Sequence, residues 1–354
     1  MRIITIQGNL VGMVLTMKTK YILSALLLGV SAMLSSIPPV VASEALVIYS
    51  GRSDKFVKPV IKVFTEQTGI PVILHGGKST ALLNKLKLEG AATSADLFLS
   101  NDAGNLQKGS DLGLFQPVSA ALAAPIDSNY RASDNSWIGL SARARVLVVN
   151  TGGEWANKLD SVFDLADPAL KGRLAITNSS NGSYIAGVTV YMLAAGREKT
   201  RQWLEDTKAN TEGKVFNKHS KIVKAVARGR QQVGLVNHYY IYRHLANDPD
   251  APIRIVLPDQ GPEDIGVAWN VAGIAISKHS KRRVQAEKLV AFLVSEVGQQ
   301  MFAEINMEYP VRDGVPAAGQ VPPAGSYKVA DIPMAELGRQ RGATLDLIEA
   351  VGMP

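Results

Sequence analysis

The segment Val233-Gly234-Leu235-Val236-Asn237-His238-Tyr239-Tyr240-Ile241-Tyr242-Arg243-His244 sets two adjacent phenols directly after a run of apolar, strand-forming residues. With the strand ending at Asn237, Tyr239 and Tyr240 fall in the first turn of the helix that follows. Neighbouring side chains diverge there by about 100°, so both hydroxyls can reach one cleft, whereas neighbours inside a strand point to opposite faces. The positive end of the helix dipole also favours an ionised oxygen. Two phenolates side by side make a hard, anionic oxygen site. The competing account is packing, because tyrosine pairs usually serve a core or a helix surface, and Ile241 and Leu245 supply an apolar stripe here. Local sequence leaves both accounts open.

Other candidate chemistry is weaker. Gly76-Gly77-Lys78-Ser79 lacks the earlier glycine of a phosphate-binding loop, since Val72 stands there, and a turn with a helix cap explains it. His75, His219, His238, His244 and His279 show no zinc spacing, and His238 is expected to be structural or solvated. There is no cysteine and no Gly-x-Ser-x-Gly elbow to supply a nucleophile. Glu263-Asp264 sits in a Gly/Pro-rich turn. The sequence therefore argues against an enzyme.

The elements that must position the tyrosines alternate in type. Leu46–Tyr49, Val72–Leu74 and Asp96–Leu99 have strand character, while 56–68 and 81–89 have helical character, which predicts a parallel sheet covered by helices. Ligands of such sheets gather at the carboxyl ends of the strands, which puts Gly51-Arg52-Ser53, Gly76–Ser79 and Ser100-Asn101-Asp102 on one rim. A second series has strands at 143–149, 174–176 and 233–236 and helices at 186–195 and 221–228. The run 267–277 predicts a strand returning to the first lobe, followed by one or two helices over 283–302 and a final helix from about Met334.

The first 43 residues have the form of a secretory signal: a basic stretch Met17-Lys18-Thr19-Lys20, an apolar run from Tyr21 to about Leu34, and small residues before a cleavage point near Ala42 or Ser43. Met17 is a candidate start. The apolar run is shorter than the ~20 residues a membrane span needs. Removal of Arg2, Lys18 and Lys20 lowers the net charge from +7 to about +4, too mild and too evenly spread for a nucleic-acid surface. Absence of cysteine excludes disulfides and a thiol lipid anchor. The expectation is a freely diffusing monomer of the periplasm.

Several segments resemble, in order along nearly the whole chain after residue 43, the periplasmic ferric-ion-binding proteins: Tyr49-Ser50-Gly51-Arg52, Thr68-Gly69-Ile70-Pro71-Val72, Gly77-Lys78-Ser79 with Leu86–Gly90, Ser94–Phe98, Val236–Tyr240 and Glu308-Tyr309-Pro310-Val311. The resemblance implies an α/β fold of the type II periplasmic-binding-protein class, with two lobes joined by a two-strand hinge and ferric iron in the cleft between them. It assigns 44–142 with 272–320 to one lobe and 143–271 with 321–354 to the other, hinged near Arg143–Leu147 and Asn270–Ile276. Tyr239 and Tyr240 become iron ligands, and Tyr184 stands where some members supply a further phenolate. Asn181, Gly182, Ser183 and Asn237 resemble the pocket for a synergistic anion such as carbonate or phosphate. The resemblance also implies delivery of iron to an inner-membrane ABC permease driven by its ATPase.

Where many members offer histidine and glutamate from the first lobe, this chain has Ser53 and Asn101, so a tyrosine-dominated site is expected. Arg52 could face the anion or stand ion-paired or solvated. The rival cargo for the same fold is a polyamine, phosphonate or thiamine-type solute, and the discriminating observation is whether both adjacent phenols face the cleft.

Overall fold

The computed structural model describes residues 44–354. The expected signal segment lies outside the described residues. The strands form one mixed sheet in the order β2-β1-β3-β9-β5-β7-β6, with β4 and β8 pairing beside it. These strands are β1 (Leu46–Ser50), β2 (Val72–Gly76), β3 (Leu97–Ser100), β4 (Phe115–Gln116), β5 (Ile138–Asn150), β6 (Leu174–Ala175), β7 (Val233–Asn237), β8 (Ile253–Val256) and β9 (Trp269–Ser277). The expected parallel pairing holds for β1 with β2 and β3, and for β6 with β7. Strands β9 and β5 break it. They run antiparallel to β3, to β7 and to each other, because β9 returns from the second half of the chain into the first.

Two long strands hold the halves together. β5 is buried along all thirteen residues and β9 along all nine. Ile138–Ala144 of β5 pair with β9, while Arg145–Val149 pair with β7. The strand thus leaves one partner and takes the other between Ala144 and Arg145, next to the hinge position expected from the sequence. Burial on both faces explains the near-continuous apolar and small-residue runs in these strands.

The helices that frame the site begin where the strands end. Helix α1 (Asp54–Thr68) buries Phe56, Val57, Val60, Ile61 and Phe64, a stripe at helical spacing. It stops at Gly69, whose φ of 69° accommodates a left-handed cap bonded back to Thr65. Helix α2 (Ser79–Glu89) and α3 (Ala103–Asp111) follow β2 and β3. In the second half come α4 (Gly182–Ala195), α5 (Arg197–Thr211), α6 (His219–Ala227) and α7 (His238–Leu245), then α8 (Arg283–Val294), α9 (Glu296–Asn306) and α10 (Arg341–Val351). The C-terminal segment touches both halves: Arg341 lies 3.6 Å from Asp102, while Thr344 and Thr189 share a 2.9 Å hydrogen bond.

Candidate metal centre

β7 delivers the tyrosines. All five of its residues are buried, Asn237 remains extended, and α7 starts at His238, which puts Tyr239 and Tyr240 in the first turn. Their rings lie 4.3 Å apart between centroids and tilted by 35°. Both line one cavity of about 170 Å³, together with Asn181, Ser183 and His219 from the second half and Arg52, Ser53, Phe56 and Asn101 from the first. Burial, reinforced by the neighbouring Tyr239, pushes the Tyr240 phenol well above its ordinary range. A proton therefore leaves that oxygen only when a strong cation replaces it.

Neighbouring imidazoles fix the pair in place. His238 accepts a hydrogen bond from Ala144 N at Nδ1 (3.1 Å), which leaves Nε2 to donate to Met307 O at 2.9 Å. Burial holds this ring neutral, with its pKa lowered to about 4. The ring stands edge-on to Tyr239 at 5.7 Å and so buttresses it from behind. His219 stacks on Tyr240 at 5.1 Å, and burial together with Arg145 and Arg143 keeps it uncharged. Phe56 meets Tyr239 edge to face at 5.6 Å from the opposite half.

The anion-pocket residues are only partly gathered. Asn181 caps α4, its Oδ1 accepting from Ser183 N (3.0 Å) and Tyr184 N (3.2 Å). Asn237 donates to Ser183 Oγ at 3.2 Å and lines an adjoining void rather than the larger cavity. Gly182 packs beside the Asp102 carboxylate, where a side chain would crowd it. A helix N-terminus suits an oxyanion, and Asn181 and Ser183 both line the cavity there.

Tyr184 stands away from the cavity, and Arg52 takes the ion-paired alternative. Tyr184 is 1 % exposed, lies beside Arg145 and does not line the cavity, and its hydroxyl has no partner among the described residues. Its position as the third helical residue turns it into the core of the second half. Arg52 reaches the cavity wall, but its guanidinium is committed: Nη2 donates to both carboxylate oxygens of Glu308 (2.8 and 2.7 Å) and Nη1 to Ser141 Oγ at 3.0 Å. A buried carboxylate demands a cation more strongly than a solvent-exposed anion does. Burial alone would raise the Glu308 pKa. The Arg52 and Arg143 charges, with hydrogen bonds from Arg52 and Ser141, hold it below the usual carboxylate range.

Four lining residues escaped sequence reasoning as site components: Phe56, Arg143, His219 and Glu308. Only Glu308 carried a signal, through its place in Glu308-Tyr309-Pro310-Val311. Among the described residues no cluster of three or more His, Asp or Glu side chains is arranged to hold a metal, which leaves the phenols as the strongest donors in the cleft.

A mixed sheet threaded by two shared strands, with polar loops and helix N-termini meeting over a cleft, defines a two-lobed solute-binding protein of the type II periplasmic-binding class. The sequence profile of the bacterial extracellular solute-binding proteins matches residues 60–328. The iron uptake protein A1 of Synechocystis is 34% identical over 298 residues, covering 82% of both chains. The Fe(3+)-binding periplasmic protein of Serratia marcescens is 29% identical over 314 residues, covering 88% of this chain and 91% of its own. A Trichodesmium protein (IdiA, FutA), solved in complex with iron and citrate ligands, superimposes with a TM-score of 0.76 at 30% identity, over 88% of this chain and 100% of its own. The chain belongs to the bacterial extracellular solute-binding protein family, among the relatives that its motifs resemble. It is a transport protein, not an enzyme. No described helix is long and apolar enough to cross a membrane.

Proposed function

We propose that this protein captures ferric iron in the periplasm through the phenolates of Tyr239 and Tyr240 and delivers it to an inner-membrane ABC permease with its ATPase. The observation that carries this reading is that both adjacent phenols line one cavity, beside the capped N-terminus of α4. Ferric iron is a hard cation and selects anionic oxygen donors. A synergistic anion, carbonate or phosphate, would occupy the wall formed by Asn181, Gly182 and Ser183, with Asn237 behind it. The citrate of the Trichodesmium relative makes a carboxylate a further candidate. Tyr184 joins as a third donor only by turning its phenol out of the pocket beside Arg145. The two lobes, 44–142 with 272–320 and 143–271 with 321–354, would close about β5 and β9 as a monomer.

A polyamine cargo fits poorly. It would need free carboxylates, and the one carboxylate on the cavity wall, Glu308, is already paired with Arg52 at 2.7 Å. The test is competition of the protein against citrate for ferric iron. Tyr239→Phe and Tyr240→Phe should each weaken binding by more than the roughly 100-fold that loss of an outer-shell partner costs. Wild-type affinity in both variants would refute the assignment.

A further inference from the structure

A second pocket, of about 290 Å³, adjoins the tyrosine cavity at the Tyr240 ring and is walled by Lys55 of α1, Ser220 and Lys224 of α6, and Arg243 and His244 of α7. That volume lies close to the lower limit of small-molecule sites. Tyr240 is the one residue the two spaces have in common, and none of Asn181, Gly182, Ser183, Asn237 or Arg52 reaches the second. A 3.0 Å bond from Arg243 Nη1 to Ile305 O holds that guanidinium 5.1 Å from the Phe56 ring centroid, and Lys55 Nζ stands over the same ring at 4.8 Å. His244 Nε2 is buried and has no hydrogen-bond partner among the described residues.

The charge of this pocket is unbalanced. Lys55 and Lys224 are exposed and Arg243 is half-buried, yet among the described residues none of the three has a carboxylate oxygen within 4.0 Å and no carboxylate lines the pocket. Asp54, next to Lys55 in the chain, is bonded to Lys58 at 2.7 Å. Burial lowers the Lys55 pKa, and the charges of Arg243 and Lys218 push it further down, so these cations converge from three helices. On the tyrosine cavity itself Arg52 is neutralised by Glu308, while Arg143 has no carboxylate partner among the described residues. A bare trivalent cation approaching the phenols would have to cross this positive field, whereas an anionic complex of the same metal is drawn in.

We propose, resting on the ferric reading of the tyrosine pair, that this pocket docks the free carboxylates of an anionic ferric polycarboxylate chelate, which hands its iron to the phenols from a seat beside Tyr240. Carboxylate oxygens suit the Lys55 and Lys224 ammonium groups, the Arg243 guanidinium and an N–H at His244 Nε2, and they are ligands that a hard ferric ion accepts. In the transfer, iron–carboxylate bonds break as iron–phenolate bonds form, the phenol protons leave to solvent, and the iron stays ferric. The docked groups stand apart from any anion on the wall of Asn181, Gly182 and Ser183.

Stopped-flow growth of the visible phenolate-to-iron band tests this with two carriers: ferric citrate in excess citrate, which is anionic, and tris(acetohydroxamato)iron(III), which is uncharged. In wild type the rate from citrate should fall steeply as ionic strength rises, while the rate from the hydroxamate stays flat. The double variant Lys55→Glu, Lys224→Glu, at two exposed positions, should slow transfer from citrate about 10- to 100-fold and leave transfer from the hydroxamate within about twofold, which also reports that the variant is folded. An unchanged citrate rate, or equal slowing with both carriers, overturns the proposal while the tyrosine site stands. A wild type that develops no band from either carrier refutes the ferric reading itself, and the docking pocket with it.

Discussion

The two walls of the cleft are built for different work. The second-half wall offers Tyr239 and Tyr240 on a helix start, the Asn181 cap and the uncharged His219. The first-half wall offers Ser53, Asn101 and the Phe56 ring, and its charged residue Arg52 is tied to Glu308. The phenols proposed as metal donors therefore sit on one side, while the other supplies packing and a neutralised ion pair. On the proposed function, this asymmetry predicts capture by the second-half wall alone, followed by closure of a non-ligating lid.

The largest effect that can break this asymmetry is in the pH dependence of iron binding. Each phenol ligand must lose a proton, so two ligands predict an affinity that falls about 100-fold per pH unit below neutrality, and three predict about 1,000-fold. Measured affinities between pH 6 and 8 separate a two-tyrosine site from one that recruits Tyr184. A slope near zero would mean that no phenol is displaced.

On the lid side, Glu308→Gln strands Arg52 as an unpaired buried cation and should cost about 3–5 kcal/mol of folding stability, seen in denaturant melts. Because the folded pKa of Glu308 is depressed, its contribution is present above the unfolded carboxylate pKa and is lost as acid protonates it. His238 sharpens the comparison at milder pH. Its folded pKa of about 4 lies below the ordinary imidazole value, so the unfolded chain binds the extra proton first. Stability is then complete above about pH 6.5 and declines by about 3 kcal/mol as pH falls toward 4, a trend that His238→Gln should flatten. The smallest effect belongs to the cap. Asn181→Ala removes the acceptor for two backbone N–H groups and should cost about 1 kcal/mol, readable as a lower melting temperature.

How much of this was legible from the chain depends on whether the signal was local. The tyrosine pair was, because strand, junction and first turn are contiguous from Val233 to Tyr240, and the structure places both rings on the cavity. The alternation of strand and helix was legible too. Helix α5 was not, because its buried face includes Thr200, Thr207, Asn210 and Thr211 beside Trp203 and Leu204, which blurs the apolar period. Helix α3 hides similarly, with Gly104, Asn105, Gln107 and Gly109 buried. The antiparallel setting of β9 and β5 was illegible because pairing direction depends on the return path of the chain. Glu308 and Arg52 stand 256 residues apart, so nothing in either local sequence announces their pairing. The same holds for Tyr184, whose place in α4 was readable but whose burial in the core is a matter of tertiary packing.

The central claim, that neighbouring phenolates hold the cargo, is tested most directly by resonance Raman spectroscopy of the ferric-loaded mature protein, excited in its visible phenolate-to-iron band. Enhanced tyrosinate ring modes in wild type, weakened by either single phenylalanine change and abolished in the Tyr239→Phe, Tyr240→Phe double variant, are the result this account predicts. A loaded protein without those modes, or a double variant that retains them, would contradict it.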